Sequence, residues 1–145
     1  MESTYKIALE AEPKASDMGV IVKGLTEFNQ LHTGGATPNY LLATVRDEQG
    51  VVVGGLLGAT YIGWLQIHVV WLPDNLRGRD YGTKLMAIAE GEALRRGCPR
   101  VYLETYSFQA LPFYEKCGYA IFSRLQGFPP GGARYALTKN LSSAG

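Results

Sequence analysis

Apolar and polar positions along this chain follow two periods. Between Asp17 and Gln30, apolar residues fall at Ile21, Leu25 and Phe28, three and four apart, which is the spacing of one helix face. Tyr81 to Arg96 carries a longer version. Leu85, Ile88, Ala89, Ala93 and Leu94 form its apolar set, and Glu90, Glu92, Arg95 and Arg96 occupy other faces. Arg95 and Arg96 suit the negative end of the helix dipole, and Gly97 followed by Pro99 stops the helix. Strand formers dominate elsewhere. Tyr40 to Arg46 and Val51 to Leu57 flank the turn Asp47-Glu48-Gln49-Gly50 and predict a hairpin. Further strands are expected over Tyr5 to Glu10, Trp64 to Leu72, Val101 to Thr105, Tyr119 to Arg124 and Arg134 to Leu137. A short helix is expected from Gln109 to Cys117, ending at Gly118. Leu31 to Asn39 and Gly127 to Gly132 read as loops. Strand, helix, hairpin, strand, helix, strand, short helix and closing strands predict an α/β (α+β) fold, a mixed sheet with helices on both faces.

Composition narrows the picture. A chain of 145 residues with 46% hydrophobic and 19% charged residues is expected to form a single domain, 1–145. A net charge of +1 gives no long-range field toward nucleic acid or an anionic membrane. The apolar run from Val51 to Trp64 is broken by glycines and Thr60, so no membrane span is expected. No basic segment followed by an apolar one opens the chain, and a cytoplasmic location is the expectation. Cys98 and Cys117 lack zinc-site spacing and read as reduced, structural thiols; no metal is expected.

The segment Trp71-Leu72-Pro73-Asp74-Asn75-Leu76-Arg77-Gly78-Arg79-Asp80-Tyr81-Gly82-Thr83 joins a strand to the long helix through a basic, glycine-containing loop. The first amides of a helix have no internal partner and, with the helix dipole, make an anion site. Arg77 and Arg79 add charge there, and Gly78 and Gly82 allow close approach to the backbone. A pyrophosphate cradle and a plain strand-to-helix connection with two solvated arginines both remain open on this loop alone.

A second motif lies downstream: Ser107-Phe108-Gln109-Ala110-Leu111-Pro112-Phe113-Tyr114-Glu115-Lys116-Cys117-Gly118-Tyr119. With it the chain resembles the GNAT superfamily of acetyl-CoA-dependent N-acetyltransferases, in its small bacterial form. That family's cofactor loop reads Arg/Gln-x-x-Gly-x-Gly/Ala. Arg77, Tyr81 and Gly82 match, and Asp80 stands where the inner glycine is expected. Its later motif reads Asn-x-x-Ala-x-x-Phe/Leu-Tyr-x-Lys-x-Gly-Phe/Tyr, matched here except for Ser107 in the asparagine position. The resemblance covers roughly Leu25 to the C-terminus. It implies a mostly antiparallel sheet of six to seven strands whose fourth and fifth strands, Trp64 to Leu72 and Val101 to Thr105, splay apart around the thioester. It also implies acetyl-CoA as cosubstrate, held by the backbone of Val70, Trp71 and Leu72 along the pantetheine arm. Amides of Arg77, Gly78, Arg79, Asp80, Tyr81, Gly82 and Thr83 would hold the pyrophosphate, with Ser107 nearby.

Transfer of acetyl to an amine has three needs. The amine must lose a proton, because an alkylammonium of pKa about 10 has no lone pair at neutral pH. The oxyanion needs a donor, such as a backbone amide near Val70. The leaving thiolate benefits from an acid. The resemblance places Tyr114 in that acid role; a core aromatic is the alternative. For the base, His68 lies on the splayed strand, and histidine titrates near neutrality. Glu104 shares a strand face with Tyr102 and Tyr106, against Val101, Leu103 and Thr105. His68 as a surface residue, Glu104 as a salt-bridged one, and a water chain without a dedicated base are the alternatives. Phe28, Asn29, Thr37, Tyr40, Tyr106 and Phe128 are the candidate acceptor residues, suggesting a modest, partly apolar amine, a small metabolite or an amine-bearing antibiotic. The expected reaction is direct attack of a primary amine in a ternary complex. The competing expectation is an acyl-CoA-binding sensor or interaction module without turnover. A homodimer, paired through the closing strands, follows from fold analogy.

Overall fold

In a computed structural model of the protein, residues 4–142 are described. The chain divides into two compact units, Met1–Ala36 and Thr37–Gly145. The first holds helix α1, Ala15–His32, which encloses the predicted Asp17 to Gln30 stripe. The strand expected over Tyr5 to Glu10 does not form. An alternating stretch becomes a strand only where a neighbour supplies a ladder, and none pairs with it.

The second unit is built on one six-stranded sheet. Its strands are β1 Asn39–Arg46, β2 Val52–Tyr61, β3 Trp64–Trp71, β4 Arg100–Tyr106, β5 Ala120–Gln126 and β6 Ala133–Asn140, ordered β1-β2-β3-β4-β6-β5. All neighbours are antiparallel except β3 and β4. That parallel pair requires a crossover, and α2, Tyr81–Arg95, supplies it. The splayed strands of the expectation are therefore β3 and β4, because no strand precedes β1 among the described residues. Helix α3, Leu111–Lys116, links β4 to β5.

The predicted hairpin forms, and Asp47 explains its turn. Its carboxylate accepts the N–H groups of Gln49 and Val51, each at 2.9 Å, while its carbonyl accepts that of Gly50 at 3.0 Å. Alternation then buries Leu41, Ala43, Leu56, Leu65, Ile67, Val101, Leu103 and Leu137 on one sheet face, against α2. The helix presents Leu85, Met86, Ala89 and Ala93, whereas Ile88 and Leu94 are exposed. At 100° per residue, the four buried positions span one arc of about 100°, and Ile88 and Leu94 fall outside it. The predicted stripe had the right period but took two members from its flanks and missed Met86.

Charged groups tie the C-terminal half of α2 to the sheet. Arg96 donates to the Asn39 carbonyl at 3.0 Å and the Thr60 hydroxyl at 3.1 Å, and is itself held by Glu92 at 2.7 Å. Glu92, between Arg95 and Arg96, has its carboxyl held down to about 2 by their hydrogen bonds. Further along, Glu90 accepts from the Tyr119 hydroxyl at 2.7 Å and from Lys139 at 2.9 Å, joining α2 to β6. No described helix is long and apolar enough to cross a membrane.

Candidate active site

β3 and β4 stay together only briefly. Trp64 to Ile67 pair with Arg100 to Leu103, and there the ladder stops. Beyond it β3 continues against β2 as far as Trp71, and β4 continues against β6 as far as Tyr106. The two strands therefore part while each keeps its outer neighbour. On β3 the side facing this gap leaves the backbone of Val69, Val70 and Trp71 without a β4 partner.

A β-bulge sits at the point of parting. Leu57 opposes Val69 and Gly58 opposes Ile67, so His68 is the extra residue. Burial records the same shift: Leu65 and Ile67 face the core before it, and Val70 and Leu72 pack on the core after it. A bulge ends pairing and re-aims a side chain. Gly58 makes it possible. A Cβ there would lie 2.6 Å from the Gln66 carbonyl oxygen. His68 and Glu104 are the first residues past the shared ladder on their two strands, which brings these two candidates to the same opening.

Glu104 is not free. Its carboxylate is paired with Arg134 and accepts the Tyr102 hydroxyl. Arg134 in turn donates to the Tyr106 hydroxyl at 2.7 Å and lies over the rings of Tyr106 and Phe128, 4.9 and 5.3 Å from their centroids. Burial, then the bond to Glu104, pushes the Tyr102 phenol up to about 12. The Glu104 carboxylate is thus salt-bridged, and its partner Arg134 was not singled out by sequence. Nothing in the pattern of β6 marks it; only the register that sets β6 beside β4 does.

Tyr114 is 8% exposed and belongs to the apolar cluster containing Ile67, Val70 and Leu103 from both sides of the opening. Its ring meets Phe113 and Tyr119 edge-on. Burial, then the neighbouring Cys117, raises its phenol above the ordinary value. It stays protonated at neutral pH.

At the start of α2 the first helical bond runs from the Lys84 amide to the Asp80 carbonyl at 3.0 Å. The amides of Tyr81, Gly82 and Thr83 precede it and have no intrahelical acceptor. Asp80 makes no side-chain cap, so its carboxylate does not occupy them. It adopts φ +66, the left-handed region, which accounts physically for a glycine pattern at this position. Gly78 is left-handed too, at φ +74. Arg77 folds back on its own loop, donating to the Leu72 carbonyl at 2.9 Å and pairing with Asp74 at 2.7 Å. Gly82 has a packing reason as well: a Cβ would sit 3.0 Å from the Phe113 ring of α3.

Ser107 is engaged between loops. Its hydroxyl accepts the Ala133 amide at 3.1 Å, and its own amide donates to the Ala133 carbonyl at 2.8 Å. It pins the start of β6. Gln109 closes the end of β4 in the same way, accepting from the Tyr106 amide at 2.8 Å.

The acceptor candidates separate into groups. Tyr106 and Phe128 meet at 5.3 Å beside Arg134. Tyr40 instead lines a cavity of about 670 Å³ on the sheet face away from α2. Its floor is one register row, Tyr40–Ala59–Gln66–Tyr102–Thr138, crossing β1, β2, β3, β4 and β6. Trp64, Phe122 and His68 are among the other residues that line it. Phe28 and Asn29 lie on α1, where the Phe28 ring meets His32 at 4.9 Å. Thr37 does not line the cavity.

A parallel strand pair that opens ahead of a helix N-terminus without a side-chain cap is the arrangement that the resemblance to the GNAT superfamily implied, and comparison with known proteins agrees. The Acetyltransferase (GNAT) family profile matches residues 3–119. Acetyltransferase Atu2258 of Agrobacterium fabrum is 37% identical over 95 residues, 66% of this chain and 69% of that protein. Blasticidin-S acetyltransferase of Streptomyces morookaense is 36% identical over 95 residues, 65% of this chain and 70% of that one. A crystal structure of a protein from Agrobacterium tumefaciens assigned as an acetyltransferase superposes with a TM-score of 0.88 at 31% identity, covering 94% of this chain and 99% of that chain. The chain belongs to the GNAT acetyltransferase family and is an acyltransferase.

Proposed function

We propose that the protein moves acetyl from acetyl-CoA to the primary amine of a small molecule, by direct attack in a ternary complex. The observation that carries this is the opening between β3 and β4, which begins at the His68 bulge. The unpaired side of Val69 to Trp71 can take the pantetheine amides as an added strand would. The amides of Tyr81 to Thr83 suit the diphosphate, with Arg79 adding charge and Arg77 fixing the loop's shape. A backbone amide near Val70 would donate to the oxyanion. Tyr114, protonated at neutral pH, serves the leaving thiolate. With Glu104 held by Arg134, the amine's proton passes to His68 or to water. A protein from Bacillus anthracis, assigned as a streptothricin acetyltransferase, was solved with acetyl coenzyme A; at 21% identity it supports the shared fold.

A cytoplasmic setting belongs to the same proposal, supported by the free thiols of Cys98 and Cys117. So does a homodimer, supported by β5, an edge strand whose residues are all exposed. Light scattering should give twice the chain mass at micromolar concentration; a monomer mass would remove the dimer. The experiment for the reaction is a thiol-release assay with acetyl-CoA against a panel of amines. Blasticidin S joins the panel because a relative is named for it. Thiol release that depends on an amine, with acetylated product by mass spectrometry, is expected. Hydrolysis alone would refute amine transfer.

A further inference from the structure

We propose that the cavity on the sheet face is the acceptor site, and that it selects an amine carried on a short chain from a planar aromatic or heteroaromatic ring. This rests on the transferase reading above and adds the class of acceptor.

Position comes first. His68 lines the cavity and is also the bulge residue where β3 leaves β4. A ligand lying in the cavity therefore reaches the opening at one end. Shape comes second. The floor is the flat run of a single register row that includes the Tyr40 and Tyr102 rings, and Trp64 and Phe122 stand beside it. A flat slot bordered by rings favours a plate-like body, through stacked and edge-on contacts. At about 670 Å³ it falls in the size range of small-molecule sites, roughly 300–1,000 Å³.

Charge is the third argument. Among the described residues no carboxylate, lysine or arginine lines the cavity; its polar groups are Gln66, Thr138, His68 and tyrosine hydroxyls. Glu104, the carboxylate that accepts the hydroxyl of the lining residue Tyr102, is itself paired with Arg134. Arg100 lies over the Trp64 ring at 5.8 Å, a positive charge already in place beside one wall. A polyamine or a heavily aminated sugar would bring several ammonium groups with nothing to pair them, at a desolvation cost. One amine at the end of a neutral ring system meets no such penalty, because only the reacting nitrogen needs to be at the opening.

The test measures kcat/KM for tryptamine, 2-phenylethylamine, butylamine and spermidine with saturating acetyl-CoA. The expected result is at least a tenfold preference for the two arylalkylamines, about what one well-placed ring contact supplies. Tyr40→Ala and Phe122→Ala remove exposed rings that the fold does not need, at 69% and 58% exposure. Each should erase most of that preference, with kcat/KM for the two arylalkylamines falling several-fold more than that for butylamine. Turnover without ring preference, or equal losses for all four amines, would overturn the acceptor assignment and leave the transferase reading intact. A Trp71→Phe protein, with Trp64 its sole tryptophan, provides the converse. Saturable fluorescence change with 2-phenylethylamine but no acetyl transfer supports the site while counting against the reaction. Neither turnover nor a fluorescence response would overturn the site.

Discussion

At the scale of single residues, Tyr114 carries two demands that can be separated. It fills space in the core, and its hydroxyl has no side-chain partner among the described residues. Tyr114→Phe keeps the ring and removes the proton. We expect kcat to fall on the order of 10²-fold while the acetyl-CoA Kd and the melting temperature hold steady. Full turnover in the variant would reduce Tyr114 to a packing residue. Asp80 offers the reverse case. Its left-handed φ costs an L-residue on the order of 1 kcal/mol, and its side chain forms no cap to offset that. Asp80→Gly relieves the backbone and removes a negative charge from the loop. The variant should melt higher and bind acetyl-CoA about fivefold more tightly, roughly 1 kcal/mol. Weaker binding would mean that the aspartate holds the loop open, reversing the electrostatic argument. Sequence located both residues by motif, but the left-handed backbone at Asp80 and the absence of a side-chain cap there came only from the geometry. Glu104 was visible as a carboxylate on the right strand face. Its neutralising partner, thirty residues away, was not, because a contact between β4 and β6 is set by register and not by local pattern.

At the scale of elements, periodicity located α1, the hairpin, β3, α2, β4 and α3 to within a few residues. It failed where a partner decides the outcome. Tyr5 to Glu10 has strand residues but no ladder, and the buried arc of α2 is set by what β1, β2 and β3 present to it. The bulge at His68 was also out of reach, since it appears in sequence only as one more residue of an apolar strand. Gly58 is its local cause, and this can be tested. A Cβ at Gly58 meets a backbone carbonyl at 2.6 Å and the Ile67 Cα at 3.4 Å, atoms that cannot rotate aside. Gly58→Ala should therefore cost about 1–3 kcal/mol by denaturant unfolding, as overpacking in a core does. It should also lower kcat/KM beyond its effect on folded fraction, because relief requires β3 to shift at the bulge. An unchanged midpoint would show that the ladder tolerates the methyl and that the bulge is set elsewhere.

At the scale of the whole molecule, the order of elements was enough to predict a mixed sheet. The sheet's order, with β6 between β4 and β5, was not, because pairing among closing strands leaves no trace in hydropathy. What the order accomplishes is to give β4 an outer partner, so that it can leave β3 without becoming a loose edge. Both walls of the opening are thereby rigid before any ligand arrives, and binding energy need not be spent on assembling them. A ligand that enters a preformed gap and binds only the folded chain stabilises it by mass action, by about 2.7 kcal/mol at one hundred times its Kd. For a chain of this length that corresponds to a rise of roughly 5–10 °C in Tm. Acetyl-CoA should produce such a shift, and the shift should shrink as salt is raised, since part of the affinity comes from the diphosphate at an open, screened helix end. Acetylpantetheine keeps the arm that would lie along Val69 to Trp71 but lacks the diphosphate, so at equal concentration it should shift Tm far less. If the two ligands act alike, the α2 amides contribute nothing and the cradle assigned to Tyr81, Gly82 and Thr83 is wrong. If neither shifts the transition at saturating concentration, and calorimetry also detects no heat, the cofactor assignment itself fails.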